Sequence, residues 1–256
     1  MAIDIPAAID SFWQAAQRGV HFPPDWYGKL DLDAAYRIQL GLIERRCAAG
    51  EQQIGWKVGL TAPAIQQQFG FHEPVFGCIL QRDESGRVFR PDELIKPGFE
   101  PELCLRVGRD LTGDITPEVA RGAIDMVYPA LEIIETRGPF TEQIAVALAD
   151  NAQQKTVVLG AGVALRPGVA LDEVVASVTI NDAPVTTGRG DAVLGNPINS
   201  VVWLAGKLRD YGRMLKAGEI IMSGSFTRQF PITPGDRIRV DFAAIGAVET
   251  SMSPVS

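Results

Sequence analysis

Cysteine and histidine are scarce in this 256-residue chain, with three of the first and two of the second. Cys47, Cys78 and Cys104 are widely spaced and form no CxxC pair, a pattern of reduced thiols in a cytoplasmic protein, not of a disulfide framework. His21 and His72 have no second histidine or cysteine at ligand spacing, which argues against a zinc centre. No run approaches the ~18 apolar residues that span a bilayer. Met1 to Phe12 lacks a basic n-region and an apolar core, so no signal peptide is expected. Basic residues are the minority, 24 Lys and Arg against 31 Asp and Glu for a net charge of −7, and they form no stripe. Nucleic acid and anionic membranes are therefore poor partners. A G-x-S-x-G elbow, a Walker loop and a G-x-G-x-x-G turn are all missing, which removes the common signatures of serine hydrolases and nucleotide enzymes.

What remains is a body with 46% hydrophobic and 21% charged residues, enough for a substantial core. Apolar residues at three- and four-residue spacing predict helices over Ile5–Arg18 and Asp33–Ala49, separated by Pro23-Pro24 and with Asp31 or Asp33 as the second cap. Residues 1–52 thus read as a helical portion and 53–256 as a β-rich catalytic domain, together one functional unit. Strand-like runs follow at Ile54–Leu60, Val75–Leu80, Glu102–Val107, Ala130–Ile134, Thr156–Leu159, Val174–Ile180, Ile220–Met222 and Arg237–Phe242. Turn signals stand at Asn181-Asp182 and Pro234-Gly235-Asp236. Thr116-Pro117 opens a helix reaching about Met126. Asn196-Pro197 opens another reaching about Tyr211, with Val201, Leu204, Ala205 and Leu208 on one face. Helices are too few for a doubly wound sheet, so the expected fold is α+β, a curved mixed β-structure with helices outside.

Three acids carry the chemistry. Alternation in an extended Phe99–Val107 puts Glu100 and Glu102 on one face, and Glu132 lies alone in the apolar run Pro129–Ile134. A buried unpaired carboxylate is costly and needs a partner. Mg²⁺ or Mn²⁺ would satisfy all three at once. The alternative is a solvated strand edge, with Glu132 paired to an arginine. Lys57, bracketed by Gly55 and Gly59 in an apolar strand, reads either as an edge lysine reaching for water or as a buried amine held by carboxylates and able to transfer protons. Arg228, in the loop Gly224–Arg228, is either a surface arginine or a bidentate clamp for a substrate carboxylate.

The order of the motifs adds more. GWKVGLT (55–61), PVFG (74–77), EPE (100–102) before LCLRVGRDL (103–111), YPALEIIETR (128–137), ADNA (149–152), AVLGNP (192–197), GEIIMSGSFTR (218–228) and PGD (234–236) together resemble the hydratase/decarboxylase family of the fumarylacetoacetate hydrolase superfamily, from about residue 33 to residue 252. That family includes 2-keto-4-pentenoate hydratase, 2-oxohept-4-ene-1,7-dioate hydratase and 4-oxalocrotonate decarboxylase of aromatic meta-cleavage pathways. The resemblance implies a mixed β-sandwich or roll of the fumarylacetoacetate hydrolase C-terminal-domain type, with N-terminal helices and a tendency to form homo-oligomers. It implies an Mg²⁺ or Mn²⁺ site on Glu100, Glu102 and Glu132 and an active-site lysine at Lys57. Thr61, Asp150, Asn151 and Arg228 are the implied substrate contacts. The family's D-N-A-S segment is matched as far as Ala152, where Gln153 replaces the serine, and Gln153-Gln154-Lys155 suggests an altered pocket.

The implied substrate is a small 2-keto or 2-hydroxydienoic acid, and the implied reaction is hydration to a 4-hydroxy-2-oxo acid. Three alternatives stand beside it. Family hydratases read P-D-F/Y-G where this chain has Pro74-Val75-Phe76-Gly77, and an apolar residue there favours a 2-keto acid decarboxylase. An acylpyruvate C–C hydrolase would need His72 or His21 to activate water. A non-catalytic subunit paired with a decarboxylase or hydratase is the third. Against the decarboxylase, WLAGKL (203–208) and GSFTR (224–228) resemble the heptenedioate hydratase branch, in which Arg228 would hold a second carboxylate.

Overall fold

A computed structural model describes residues 3–68 and 70–255. Helix α1 (Ile5–Gln17) starts where the Asp4 side chain accepts from the Ala7 N–H. Helix α2 (Leu32–Ala48) is capped by Asp31, whose Oδ1 accepts from Ala34 N at 2.8 Å. Asp33 instead pairs with Arg37 one turn on, on the exposed surface. Strand β1 (Gly55–Gly59), the short helix α3 (Pro63–Gln68) and strands β2 (Val75–Ile79), β3 (Arg82–Glu84) and β4 (Arg87–Phe89) follow. The long strand β5 (Pro97–Val107) leads through helix α4 (Pro117–Ala123) into β6 (Ile124–Glu135). After helix α5 (Ile144–Ala149) come β7 (Gln154–Leu159), β8 (Val163–Ala164), β9 (Val175–Ile180) and β10 (Ala183–Arg189). Helix α6 (Pro197–Arg209) precedes β11 (Ile220–Ser225), β12 (Phe230–Pro231), β13 (Arg237–Phe242) and β14 (Gly246–Met252).

The strands form two mixed sheets. Nine belong to the larger, ordered β2-β1-β11-β5-β6-β7-β3, with β12 added beside β5 and β8 beside β6. Five form the smaller, ordered β10-β9-β13-β14-β4. The larger sheet curls, so that β2 and β7 touch although five steps apart in the order. The main apolar core includes α1, α2, α4 and α6 and lies on the outer side of the curl. Tyr36 of α2 stacks on Phe76 of β2 with ring centroids 4.2 Å apart. A second, smaller cluster of Ile79, Cys104, Ala130, Val157, Leu159, Ile220 and Met222 shares by alternation the face that bears Lys57, Glu102 and Glu132.

Two expectations change. The helix from Pro117 ends at Ala123, short of Met126, because Ile124 and Met126 pair with Val107 and Arg106 as β6 begins. Its N-cap stands as expected, with Thr116 Oγ1 accepting from Val119 N. Strands β5 and β6 run well beyond the apolar stretches that announced them, since each supplies the other's ladder. The Asn181-Asp182 turn adopts left-handed φ at both residues, 53° and 66°, and closes a β9–β10 hairpin.

Candidate metal centre and substrate cavity

The β5–β6 register sets the site. Glu100 stands directly opposite Glu132, and Glu102 opposite Ala130. Period-two alternation therefore places all three carboxylates on one face within one ladder step of each other. One oxygen from each lies within 4.8 Å of the others. On a flat sheet β1 would stand three strand spacings, about 14 Å, from β6. The curl closes that gap, and Lys57 Nζ on β1 comes to 3.4 Å from Glu132 Oε1.

Between them runs β11, which breaks its pairing with β5 between Met222 and Ser225. The break turns the Gly224 N–H inward, where it donates to Glu102 Oε2 at 2.8 Å. Gly224 has φ 114°, and a Cβ there would sit 2.5 Å from Thr61 Cγ2, so only glycine fits. From outside, Ser200 Oγ of α6 donates to the Ser223 carbonyl at 2.6 Å and holds the irregular segment in place.

Lys57, Glu102 and Glu132 are 5%, 1% and 0% exposed, and Glu100 is half-buried. Glu132 Oε2 and Glu102 Oε1 have no hydrogen-bond partner, and Glu132 Oε1 has only the long ion pair with Lys57. Three carboxylates and one ammonium leave two negative charges, the complement of a divalent cation. These orphaned oxygens fit a hard cation that takes oxygen ligands. Burial, then the charge of Glu132, pushes the Glu100 carboxyl up to about 7, with Lys57 opposing. Glu102 is raised by burial and by both neighbouring acids, and Glu132 by burial against the pull of Lys57. For Lys57 burial works toward the neutral amine, but Glu132, Glu100 and Glu102 together outweigh it and raise its pKa.

Above this floor lies a cavity of about 360 Å³. Lys57, Thr61, Glu100 and Arg228 line it, with Val75, Ile134 and Phe140 as an apolar wall and Thr136, Gln153, Thr227 and Gln229 as polar margin. Arg228 makes no ion pair among the described residues, and its guanidinium lies 4.4 Å over the Phe230 ring. Sequence reasoning missed Ile134, Thr136 and Phe140; continuing the alternation of Glu132 finds the first two, and Phe140 carries no such signal.

Asp150 and Asn151 do not line this cavity. Asp150 Oδ2 accepts from Arg137 Nε at 2.6 Å and faces a separate cavity of about 370 Å³ against α1 and α2, which His21, Gln154 and Lys155 also line. Asn151 accepts from Cys78 N at 2.7 Å and donates to Cys78 O at 2.8 Å. Because β2 ends the sheet, the Asn151 amide takes the place of a next strand. Residues Asn151, Ala152 and Gln153 all have left-handed φ, between 49° and 63°, and this turn faces Gln153 into the substrate cavity while Gln154 and Lys155 fall on the other side. His72 sits in a surface recess with Phe71 and Glu73. Neither histidine lines the cavity that Lys57 and Glu100 share.

The larger helices and sheets recur in known proteins. The chain is 35% identical over 249 residues to 2-keto-4-pentenoate hydratase of Paraburkholderia xenovorans (strain LB400), covering 95% of this chain and 93% of the relative. It is 34% identical to 2-oxo-hept-4-ene-1,7-dioate hydratase of Escherichia coli, over 87% of each. Among solved structures, 4-oxalocrotonate decarboxylase from Pseudomonas putida G7, complexed with magnesium and adipate, superposes with a TM-score of 0.89 at 29% identity, over 97% of both chains. The family model for the fumarylacetoacetate (FAA) hydrolase C-terminal region matches residues 68–253. With its curled sheet, its facing carboxylates and these relatives, the chain belongs to the fumarylacetoacetate hydrolase family.

Proposed function

We propose that this chain is a divalent-metal-dependent hydro-lyase that converts a 2-hydroxy-2,4-dienoate into a 4-hydroxy-2-oxo acid. The observation that carries this reading is the buried Glu100–Glu102–Glu132 cluster with Lys57 against it on the floor of a cavity sized for a small acid. Glu100, Glu102 and Glu132 would hold Mg²⁺ or Mn²⁺, which supplies Lewis-acid stabilisation of negative charge on the substrate's C2 oxygen. Named relatives that are hydratases support hydration as the reaction.

The chain's own groups then divide the work. Lys57 Nζ, kept charged by three carboxylates, moves protons: the dienol loses one at O2 and gains one at C5, giving a 2-oxo-3-enoate. Water adds at C4 and a proton at C3, so one water enters and nothing leaves. Thr61 and the Gly224 turn shape the carboxylate end, Val75 and Ile134 exclude bulk water, and Arg228 offers a charged fork for an acidic tail. The apolar wall at Val75 favours the second reading, a 2-keto acid decarboxylase, because it places no acid over the far end of the substrate.

Turnover separates the two. With Mg²⁺ or Mn²⁺ present, 2-hydroxypenta-2,4-dienoate should lose its dienol absorbance without releasing CO₂, and Glu102→Ala should abolish this while the protein stays folded. CO₂ release from 4-oxalocrotonate with no dienol hydration would replace hydratase with decarboxylase. Full turnover by Glu102→Ala after metal removal would end the metal assignment.

A further inference from the structure

Gln153 is 7% exposed, lines the substrate cavity, and its Nε2 has no hydrogen-bond partner. A buried amide donor left unpaired is expensive, so a position that keeps one calls for a ligand acceptor. Its neighbour differs: in the amide orientation that satisfies both ends, Gln154 donates to Cys78 O at 3.3 Å and accepts from Thr156 N at 3.2 Å. Gln153 has no such pair of partners, and the left-handed turn that carries it is pinned to β2 through Asn151.

Of the acidic cluster, Glu100 lines the same cavity, while Glu102 and Glu132 stand behind it. Gln153 Nε2 bonds none of the three carboxylates and stays available to a ligand. Arg228 lines the cavity too and makes no ion pair among the described residues. The carboxylate floor is rich in acceptors and suits a cation; the remaining margin is rich in donors and suits an anion. Val75, Ile134 and Phe140 give the cavity an apolar surface that suits a hydrocarbon chain.

We infer that Gln153 is a specificity-determining residue whose Nε2 donates to an oxygen on the substrate's tail, so that the chain prefers dienoates ending in a carboxylate over those ending in an alkyl group. This rests on the proposed function for the reacting end of the substrate. The role belongs to this chain's own residue, where the family's D-N-A-S segment carries serine.

The test compares Gln153→Ala and Gln153→Asn with the parent on 2-hydroxyhepta-2,4-diene-1,7-dioate and on 2-hydroxyhexa-2,4-dienoate, with Mg²⁺. Asparagine tolerates left-handed φ and so keeps the turn while withdrawing the amide by one methylene. Both variants should raise KM for the dioate about 10- to 100-fold, as for a lost hydrogen bond to a charged group, with kcat little changed and the alkyl substrate within about twofold of the parent. Equal losses on both substrates, or a fall confined to kcat, would overturn the inference. Calorimetric binding of heptanedioate against heptanoate to the Mg²⁺-loaded protein needs no turnover. If the parent hydrates neither dienol, the proposed function fails, and this comparison still decides the role of Gln153: tighter heptanedioate binding that Gln153→Asn removes supports it, and equal binding of the two acids refutes it.

Discussion

Asn151 offers the sharpest test of how the fold builds the site, because sequence resemblance makes it a substrate contact and the structure gives its side chain to Cys78. Replacing it with alanine orphans the buried Cys78 N–H, at about 1–3 kcal/mol, while the Cys78 carbonyl keeps Gln154 as a donor. Alanine at φ 61° adds about 1 kcal/mol of backbone strain. The expected loss is about 2–4 kcal/mol, and at roughly 2–4 °C per kcal/mol for a chain of this size the melting temperature should fall by about 4–16 °C. Asn151→Gly removes the same two bonds and keeps the turn without a Cβ. It should therefore recover about 1 kcal/mol of the loss. Thermal melts of the three proteins, run with steady-state kinetics, provide the measurement. Activity should fall through displacement of β2, since Gly77 packs on both Asn151 and the Lys57 side chain. An Asn151→Ala protein with an unchanged melt and a KM raised alone would refute the scaffold role and restore Asn151 as a substrate ligand.

Two further predictions concern the carboxylate cluster. Mg²⁺ at a hundred times its Kd should stabilise the parent by about 2.7 kcal/mol, a rise of about 5–11 °C in melting temperature that Glu132→Gln should lose; an equal rise in the variant would place the ion elsewhere. Acid should weaken metal binding, because the Glu100 carboxyl titrates near 7 and protons compete for the same oxygens. The apparent Kd should rise about tenfold per pH unit below 7 for each proton displaced. Without metal the sign reverses: a carboxyl raised in the folded state contributes stability that is present below its ordinary value of 4.5 and lost as pH rises through 7. Melting temperatures between pH 5 and 8, with metal and with chelator, should therefore slope in opposite directions.

Much of this was open to reading in one dimension. Helix starts were written by capping residues at Thr116 and Asn196, and their side chains accept the first amides of α4 and α6. Strand alternation put Glu100 and Glu102 on one face before any fold was known. The strands missed were short or lacked a pattern. All but one residue of β10 are exposed, and its Pro184-Val185-Thr186-Thr187 stretch shows no inside and outside to alternate. The α4–β6 boundary lies before the end of the helical spacing because pairing with β5, a contact far along the chain, overrides it.

By itself the sequence determined the ingredients: which side chains are acidic, which strands alternate, where helices begin, and a motif order shared with a family. Only the tertiary structure decided which of them meet. Glu132 joins Glu100 through the β5–β6 register, and Lys57 reaches Glu132 because the sheet curls across β11 and β5. Asp150 and Gln153 lie three residues apart and part company, one toward Arg137 and the other toward the substrate cavity. The cause is a left-handed turn of three non-glycine residues, a conformation that local preference disfavours and that the bonds from Asn151 to Cys78 hold in place.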